Sequence, residues 1–349
     1  MDRIGRRARW AGWILAGFCL LALASVFAVI TGPAALSFSE AVRIILGRIP
    51  FLEELLRPGE LPDTYHRIVW ELRMPRVLLA GMVGGALGVV GGVFQGFFRN
   101  PMADPFVIGV SSGAALGATM VLVSGYSALL GLFTVPLAGF VSALLTTWLV
   151  YRLARVGSKV VVPTLLLAGI ALSSFLQSMI SFLMVMNAEE MDKVYFWLMG
   201  SFANRSWSHV LMAAPLILLG SALLMVFSRD LNALAFGDST AAHLGIDLEK
   251  LKILLLVLAS LTAAGAVSVS GIIGFVGLII PHIVRMLVGP DHRILLPVSY
   301  LGGGIFLVLA DTAARTLVAP VEIPIGTITA LFGGPYFIYL LRRKKENVF

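Results

Sequence analysis

The chain has 349 residues, of which 58% are hydrophobic and only 13% are charged. An ordinary soluble domain carries roughly 25% charged residues, so this composition excludes a soluble globular protein and indicates a polytopic membrane protein. The formal charge of +7 would suggest nucleic-acid binding in a soluble domain, but here it indicates basic loops on one membrane face. The only cysteine is Cys19, which excludes an intrachain disulfide and a cysteine-based metal cluster.

Hydropathy and helix-breaking residues predict ten membrane spans. The first follows the basic N-terminal segment and is longer than a signal-peptide core, so we interpret it as a retained helix. An even number of spans places both basic termini on one side, and most Lys and Arg residues then fall in cytoplasmic loops, as the positive-inside rule requires. The predicted spans are 10–31, 70–97, 105–125, 128–151, 162–186, 207–228, 252–270, 273–289, 294–316 and 325–342.

One stretch, residues 73–117, is rich in glycine for a helical segment. In lipid, small residues let helix backbones approach closely, and this contact replaces hydrophobic packing. The stretch is broken at 99–101 and at 104–105, and a break cannot face lipid with its backbone groups unpaired. We therefore interpret 73–117 as two close-packed membrane helices joined by a functional turn.

Three segments between the spans have a pattern of their own. Residues 32–69 contain a helical periodicity, and residues 188–206 turn from acidic to aromatic, which predicts a short helix against the outer surface. Residues 229–251 predict two short helices, the first ending at Phe236 and the second capped by the cluster 238–240. This cytoplasmic segment is either a docking surface or an amphipathic turn that rests on the membrane.

Two enzyme motifs are absent, and a third has a simpler explanation. The chain has no GxxxxGK[ST] phosphate loop and no HExxH, and its five histidines lack metal-ligand spacing. Residues 109–113 match GxSxG, and an intramembrane serine protease would pair Ser111 or Ser112 with His282. In a run so rich in Gly and Ser we interpret the match as close helix packing, and we expect no enzyme.

The fifth span carries a stripe of uncharged polar residues on one helical face. A polar stripe on a spanning helix faces protein or water rather than lipid. It is explained either by hydrogen bonds between helices or by a pathway along which a large solute slides. The residues of the stripe are Ser173, Ser174, Gln177, Ser178 and Ser181.

Three arginines, Arg73, Arg76 and Arg315, adjoin apolar spans on the predicted external side. A single arginine there would be explained by snorkelling to the interface. Three together, against the positive-inside bias, indicate the docking of an acidic partner.

A series of motifs resembles the permease subunits of ATP-binding-cassette importers for iron–siderophore, haem and cobalamin complexes. The motifs run in order over most of the chain: RMPR at 73–76, GxxxQ at 91–95, RNPMADP at 99–105, GxSSGA at 109–114, GDSTAAHLG at 237–245, GFVGLIIPHIVR at 274–285, GPDHRILLP at 289–297, ADTAAR at 310–315 and EIPIG at 322–326. The resemblance implies one all-α transmembrane domain, 1–349, with the ten-helix architecture of a type II importer permease.

The resemblance also implies partners and a cellular location. The permease would form a homodimer, or pair with a related permease, with the solute path along the dimer axis. Two separate cytoplasmic ATPase subunits would bind ATP and magnesium, so no cofactor, metal or nucleic acid is expected on this chain. An external substrate-binding protein would dock on the three arginines. The location would be the bacterial cytoplasmic membrane, with both termini in the cytoplasm.

By the same resemblance the fifth and tenth helices line the path, which favours the pathway explanation of the Ser/Gln stripe. The inner gate would lie at Asn100 and Met102 of the turn, with Val162 and Pro163 at the start of the fifth helix. Residues 230–247 would be a pair of coupling helices that sits in a cleft of the ATPase. The coupling residues expected there are Leu231, Ala235, Gly237, Asp238, Ser239, Ala242, Leu244 and Gly245.

The expected solute follows from one departure from the family pattern. Residues 161–164 read VVPT, which is more apolar than the Ser/Thr-rich turn of a cobalamin permease. This favours an iron(III)–siderophore-type complex, with a cobalamin or haem permease of the same family as the alternative. An ion-coupled secondary transporter is the alternative of a different class. It would need buried carboxylates as ion sites, and Asp311 is the one candidate.

Overall fold

The computed structural model describes residues 3–32, 36–48, 61–126, 129–157 and 159–346. The helices in this part of the chain are α1 Arg3–Ile30, α2 Phe38–Leu46, α3 Asp63–Phe97, α4 Val110–Val123, α5 Thr134–Ala154, α6 Val162–Met186, α7 Met191–Leu198, α8 Trp207–Val226, α9 Ser228–Ala235, α10 Asp238–His243, α11 Leu248–Ser270, α12 Val276–Val288, α13 His292–Thr316 and α14 Ile325–Glu346. Short 3₁₀ turns lie at Pro105–Ile108, Gly131–Phe133 and Ala188–Glu190. A minimal antiparallel hairpin pairs β1 Arg155–Val156 with β2 Lys159–Val160.

The ten predicted spans correspond to ten apolar helices in the described part of the chain, which confirms the all-α membrane architecture. Seven helices are long and apolar enough to cross a membrane (α1, α3, α5, α6, α8, α11 and α13), and α4, α12 and α14 are shorter apolar helices. The helices predicted in two of the loops also form. In the first loop, α2 begins with a capping box between Ser37 and Glu40, and α7 lies within 188–206.

Helix α3 is the centre of the bundle, and its glycines set how closely α13 and α12 approach. A Cβ atom at Gly84 would overlap the carbonyl oxygen of Gly303 on α13, and one at Gly91 would overlap that of Gly277 on α12. Such backbone contact is possible only because both sides lack side chains. By the predicted topology the Phe97 end of α3 faces the cytoplasm. We call this end of the bundle the inner end and the opposite end the outer end.

The second helix of the Gly-rich stretch packs elsewhere. In α4, Cβ atoms at Gly113 and Gly117 would overlap Thr146 and Ala138 of α5. The interpretation of 73–117 as close-packed helices is therefore correct in its physical reason but wrong if the two helices are taken as each other's partner. Composition shows that a helix is built for close contact, whereas the partner is decided by residues far along the chain.

The eighth span begins later than predicted. Residues 271–275 are not helical, and α12 starts at Val276 after Phe275, which has a φ of +69°. The start of α12 therefore lies against Gly91, about 9 Å from the inner end of α3 at 1.5 Å per residue, and inside the bundle. This break places irregular backbone beside the predicted path, where protein rather than lipid surrounds it.

Candidate functional site

The outer end of the bundle holds the three arginines predicted to meet an acidic partner. Arg73 donates from Nη1 to the carbonyl oxygens of Val29 (2.7 Å) and Ile30 (3.1 Å), and Arg315 donates from Nη2 to that of Ala28. These are last-turn carbonyls of α1, which have no partner within the helix, and a cation beside them complements the helix dipole. Arg73 and Arg315 therefore cap α1.

Arg76 is held by carboxylates. Its Nε lies 2.9 Å from both oxygens of Asp311, and its Nη1 donates to Glu322 at 2.9 Å. The Asp311 carboxylate is buried and also lies 3.8 Å from Nε of Arg315. Because two guanidinium groups already compensate its charge, Asp311 is not an open ion site of the kind that a secondary transporter needs.

The three arginines line one outer pocket, a cavity of about 320 Å³. Their side chains are only 5–11% exposed, which hydropathy did not predict. Arg205 also lines this pocket, and sequence analysis missed it because a lone arginine in a loop is a weak signal. Burial lowers the pKa of Arg205 to about 10. Four guanidinium groups therefore line the pocket, and the Glu322 carboxylate is also part of its lining.

The Ser/Gln stripe of α6 divides into two parts. Ser173 shares a 3.0 Å hydrogen bond with Ser112 of α4, so this residue joins two helices. Ser174, Ser178 and Ser181 are exposed, and each hydroxyl donates to a carbonyl one turn earlier in α6. Since these donors are satisfied within the helix, the face presents weakly polar oxygen atoms. Gln177 is exposed on the same face.

The gate residues predicted on the cytoplasmic side lie on two elements. Residues 98–104, which we call the inner turn, follow α3, and Asn100 Oδ1 accepts the backbone N–H of Met102 at 3.0 Å. Val162 and Pro163 start α6, where Val162 is half-buried and Pro163 is exposed. Asp104 closes the inner turn by accepting the N–H of Phe106 at 2.7 Å.

A cavity of about 410 Å³ connects the inner turn with the stripe of α6. Its lining includes Asp104, Ser173, Ser174 and Phe275. Asp104 and Phe275 are absent from the sequence-based set. Burial raises the pKa of Asp104 above its ordinary value. Phe275 reaches this cavity only because the chain is non-helical before α12, a feature that hydropathy does not show.

The inner turn has an unusual residue at the end of α3. Arg99 occupies a left-handed conformation with a φ of +50°. The N–H of Asn100 bonds the carbonyl of Gln95, and that of Arg99 bonds the carbonyl of Gly96. This is a Schellman motif, in which the left-handed position is usually glycine. A side chain in this conformation costs roughly 1–2 kcal/mol. The inner turn nevertheless has arginine at this position, although glycine would be less strained.

The predicted coupling segment, residues 230–247, forms the expected pair of short helices, α9 and α10. The predicted cap is wrong: Gly237 is the N-cap residue of α10, and no side chain bonds the helix start. Of the predicted coupling residues, Leu231 is buried in the bundle, and Gly237 and Asp238 are half-exposed. The exposed ones are Ala235, Ser239, Ala242, Leu244 and Gly245, and Phe236, which was missed, is also exposed.

Asp238 bonds inward instead of capping α10. Its Oδ2 accepts from Lys252 Nζ of α11 at 2.7 Å, and its Oδ1 lies 3.3 Å from Arg99 Nη2 of the inner turn. The hydrogen bond from Lys252, together with the charges of Lys252 and Arg99, lowers the pKa of Asp238 below its ordinary value. The carboxylate therefore remains ionised and connects three elements.

Asn232 makes a second connection from the coupling segment. Its Oδ1 accepts the backbone N–H of His292 at 2.9 Å, and its Nδ2 donates to Asp291 at 2.8 Å. Asp291 also caps α13 by accepting the N–H of Arg293. Helix α9 is therefore fixed to the start of α13, whereas α10 is tied to the inner turn and α11.

Comparison with known proteins gives consistent matches. Residues 20–343 match the model of the FecCD transport family. The chain is 42% identical to the cobalamin import permease of Halobacterium salinarum, with 93% of this chain and 88% of that protein covered. It is 43% identical to the hemin transport permease of Yersinia pestis, with 82% of this chain and 86% of that protein covered.

Two further matches are an iron-citrate permease and a solved transporter structure. The Fe(3+) dicitrate permease of Escherichia coli is 37% identical, with 83% of this chain and 90% of that protein covered. Among solved structures, an inward-facing conformation of a metal-chelate type ABC transporter superposes with a TM-score of 0.82 at 33% identity, covering 95% of this chain and 98% of that one. These relatives are transport proteins rather than enzymes, and they confirm the resemblance carried by the motifs.

Proposed function

The chain belongs to the FecCD transport family and is a permease subunit of an ATP-binding-cassette importer, and from this premise we propose that its solute is an iron(III)–siderophore-type complex. Membership implies a separate ATPase subunit and an external substrate-binding protein as partners. We assign the permease to the bacterial cytoplasmic membrane with both termini in the cytoplasm, in line with its basic ends.

The uncovered face of α6 supports a dimer with a central path. Ser174, Gln177, Ser178 and Ser181 are exposed on the isolated chain, and such a polar stripe is unfavourable against lipid. A second copy, or a related permease, would cover this face and enclose water between the two stripes. Because the stripe has no charge and its hydroxyl donors are satisfied, a large chelate would slide along it without a deep binding site.

The outer pocket supports docking of an acidic binding protein. Its arginines already bond to α1 and to Asp311, so an incoming carboxylate would compete with exposed Glu322 for Arg76. The excess of positive charge in the pocket would attract acidic groups before contact. Docking through Arg73, Arg76 and Arg315 would thereby act on the packing of α1, α3 and α13.

The transport cycle would be alternating access. Two ATPase subunits, which carry ATP and magnesium, would receive the exposed apolar side chains of the coupling segment, including Phe236 and Leu244. Closure of the ATPases on ATP would move this segment and reorient the helices around the central path, and hydrolysis would reset them. Asn100 and Met102, with Val162 and Pro163, would form the inner gate.

The apolar start of α6 is the observation that carries the choice of an iron chelate. Val162 and Pro163 offer no hydroxyl groups at this position, in contrast to the Ser/Thr-rich turn expected of a cobalamin permease, and this departure favours an iron chelate. Cobalamin and haem are the second candidates, because the relatives named for those two solutes are 42% and 43% identical to this chain, against 37% for the iron-citrate relative.

Uptake into proteoliposomes tests the proposal. The permease is co-reconstituted with its cognate ATPase and substrate-binding protein, and radioactive ferric hydroxamate siderophore, haem and cobalamin are supplied separately with ATP inside. We expect ATP-dependent uptake of the ferric siderophore that the other two solutes do not suppress. Uptake of cobalamin or haem alone would replace the proposed solute, and uptake without any ATPase would overturn the mechanism.

A further inference from the structure

We propose that Asp238 is a positioning residue that ties the coupling segment to the inner turn, so that movement of α10 is passed to the gate through the Arg99–Asp238–Lys252 ion pairs. The proposal rests on the proposed function, since it assumes that an ATPase moves the coupling segment. It assigns Asp238 an internal task, in contrast to the ATPase contact that its place in the coupling segment suggests.

The direction of the Asp238 side chain supports this assignment. Both of its oxygens are directed at other elements of this chain, at 3.3 Å from Arg99 Nη2 and 2.7 Å from Lys252 Nζ. Lys252 is only 9% exposed and belongs to the long helix α11, so it provides a fixed anchor. The apolar side chains that face outward, Phe236 and Leu244, flank α10 and are free to meet a partner.

The backbone of the inner turn holds Arg99 rigidly to the end of α3. Its left-handed conformation is held by the two Schellman hydrogen bonds to Gln95 and Gly96. A displacement of its guanidinium group is therefore passed to the end of α3 and to Asn100, the next residue. A Cβ atom at Gly237 would lie 3.7 Å from Arg99 Nη1, so this group lies close to the junction between α9 and α10.

The two helices of the coupling segment have different attachments. Helix α9 is bonded through Asn232 to the start of α13, whereas α10 is bonded through Asp238 to the inner turn and α11. A push on the segment that tilts α10 relative to α9 would change the distance between Asp238 and Arg99 before it disturbs the core. The ion pairs thus lie at the point where such a motion reaches the gate.

Hydrogen–deuterium exchange on the purified permease in nanodiscs tests the mechanical link without any partner. In Asp238→Asn we expect the amides of residues 98–104 to exchange faster by about threefold or more, since the inner turn loses its tether. Asp247→Asn is the matched control, because Asp247 pairs with Lys250 on its own helix and asparagine keeps the N-cap. Unchanged exchange at 98–104 in Asp238→Asn, or an equal change in the control, overturns the proposal.

The complex with the ATPase and binding protein tests the role in transport. We expect Asp238→Asn and Arg99→Gln to lower the amount of solute moved per ATP by about fivefold, with ATPase co-purification and hydrolysis retained. Arg99→Lys should retain most of the wild-type amount of solute moved per ATP. The double variant Asp238→Asn/Arg99→Gln should move no less solute per ATP than the more impaired of the two single variants, because both changes remove the same contact. A variant that fails only through lost assembly or lost ATP hydrolysis contradicts the tether and makes Asp238 a docking residue.

These outcomes separate the tether from the proposed function. If the wild-type complex shows no ATP-driven uptake, the proposed function fails, and the exchange experiment alone decides whether Asp238 holds the inner turn. If wild-type uptake is normal but Asp238→Asn leaves either the exchange at residues 98–104 or the transported amount per ATP unaffected, the tether is rejected and the proposed function stands.

Discussion

The outer and inner charge clusters of this permease use the same residue types in opposite ways. At the outer end, Asp311 is 1% exposed and Arg76 is 11% exposed, and the contacts are multiple. At the inner end, Asp238 and Arg99 are 43% and 48% exposed, and a single contact joins them. Breaking a buried pair costs several kcal/mol, whereas an exposed pair contributes at most about 1 kcal/mol.

This difference in burial indicates that the outer cluster is suited to keep the helices in place and the inner cluster to change its contacts. The outer cluster fixes the end of α1 and the end of α13 to the turn of α3 that carries Arg73 and Arg76, through contacts that are expensive to break. The inner cluster connects the coupling segment to the inner turn through bonds that solvent weakens. A contact of low energy can break and re-form during each transport cycle, which suits the gate side of an importer.

The largest effect is expected from Asp311→Ala. This change leaves the guanidinium groups of Arg76 and Arg315 buried beside each other without their shared carboxylate, which should destabilise the protein by about 3–5 kcal/mol. The midpoint of thermal unfolding in detergent measures it. Glu322→Gln, in which an exposed group is altered, is the control and should change the midpoint much less. Similar midpoints for the two variants would contradict the view that the outer cluster keeps the helices in place.

A smaller effect is expected from Arg73→Gln. The carbonyl oxygens of Val29 and Ile30 lose a charged donor, and such hydrogen bonds contribute about 1.5–3 kcal/mol. Because the loss is local, amide exchange near the end of α1 should accelerate more than exchange in α13. Arg155→Gln, which removes a contact at an exposed hairpin, provides the comparison. If α1 is unaffected, Arg73 is not its cap.

Acid should weaken a second ion pair at the inner end, between Asp291 and Arg293 at the start of α13. The hydrogen bond from Arg293 lowers the pKa of Asp291 from its ordinary value of 3.8 to about 2. For a carboxylate with a lowered pKa, the stabilisation is complete above the unfolded-state pKa and is lost as the pH falls through the folded one. The stabilisation that Asp291 provides should therefore be lost as the pH falls from about 4 to about 2, and the midpoint of thermal unfolding should fall with it. The Asp291→Asn variant should lack this part of the pH dependence. If the midpoint depends on pH in the same way in the variant and in the wild type, the ion pair does not stabilise the fold.

The smallest effect on stability is expected from Arg99→Gly. Glycine removes the ion pair to Asp238, which contributes at most about 1 kcal/mol. It also relieves the left-handed backbone, where a side chain costs roughly 1–2 kcal/mol. The unfolding midpoint should stay the same or rise slightly, while the amount of solute transported per ATP falls. A clear loss of stability would mean that Arg99 supports the fold, and the contrast between the two clusters would disappear.

Particular residues show how far sequence analysis reached in the candidate site. The grouping of Arg73, Arg76 and Arg315 on one face follows from charge placement and is visible without coordinates. Their internal partners are not, because Arg76 and Asp311 are separated by 235 positions. The same limit explains why Asp238 was assigned to the cap of α10: an Asp-Ser-Thr cluster is a strong local signal, and Lys252 and Arg99 outweigh it only in the folded chain.

Membrane embedding, the ten apolar helices, the breaks between them and the paired short helices of the coupling segment are determined by the sequence alone. They depend on hydropathy, glycine, proline and capping residues within a few positions. Tertiary structure alone decided that α3 packs on α13 and α4 on α5, that α12 starts inside the bundle, and that the outer arginines are buried while Asp238 turns inward. These features depend on which distant surfaces meet, and burial and charge pairing arise only at that contact.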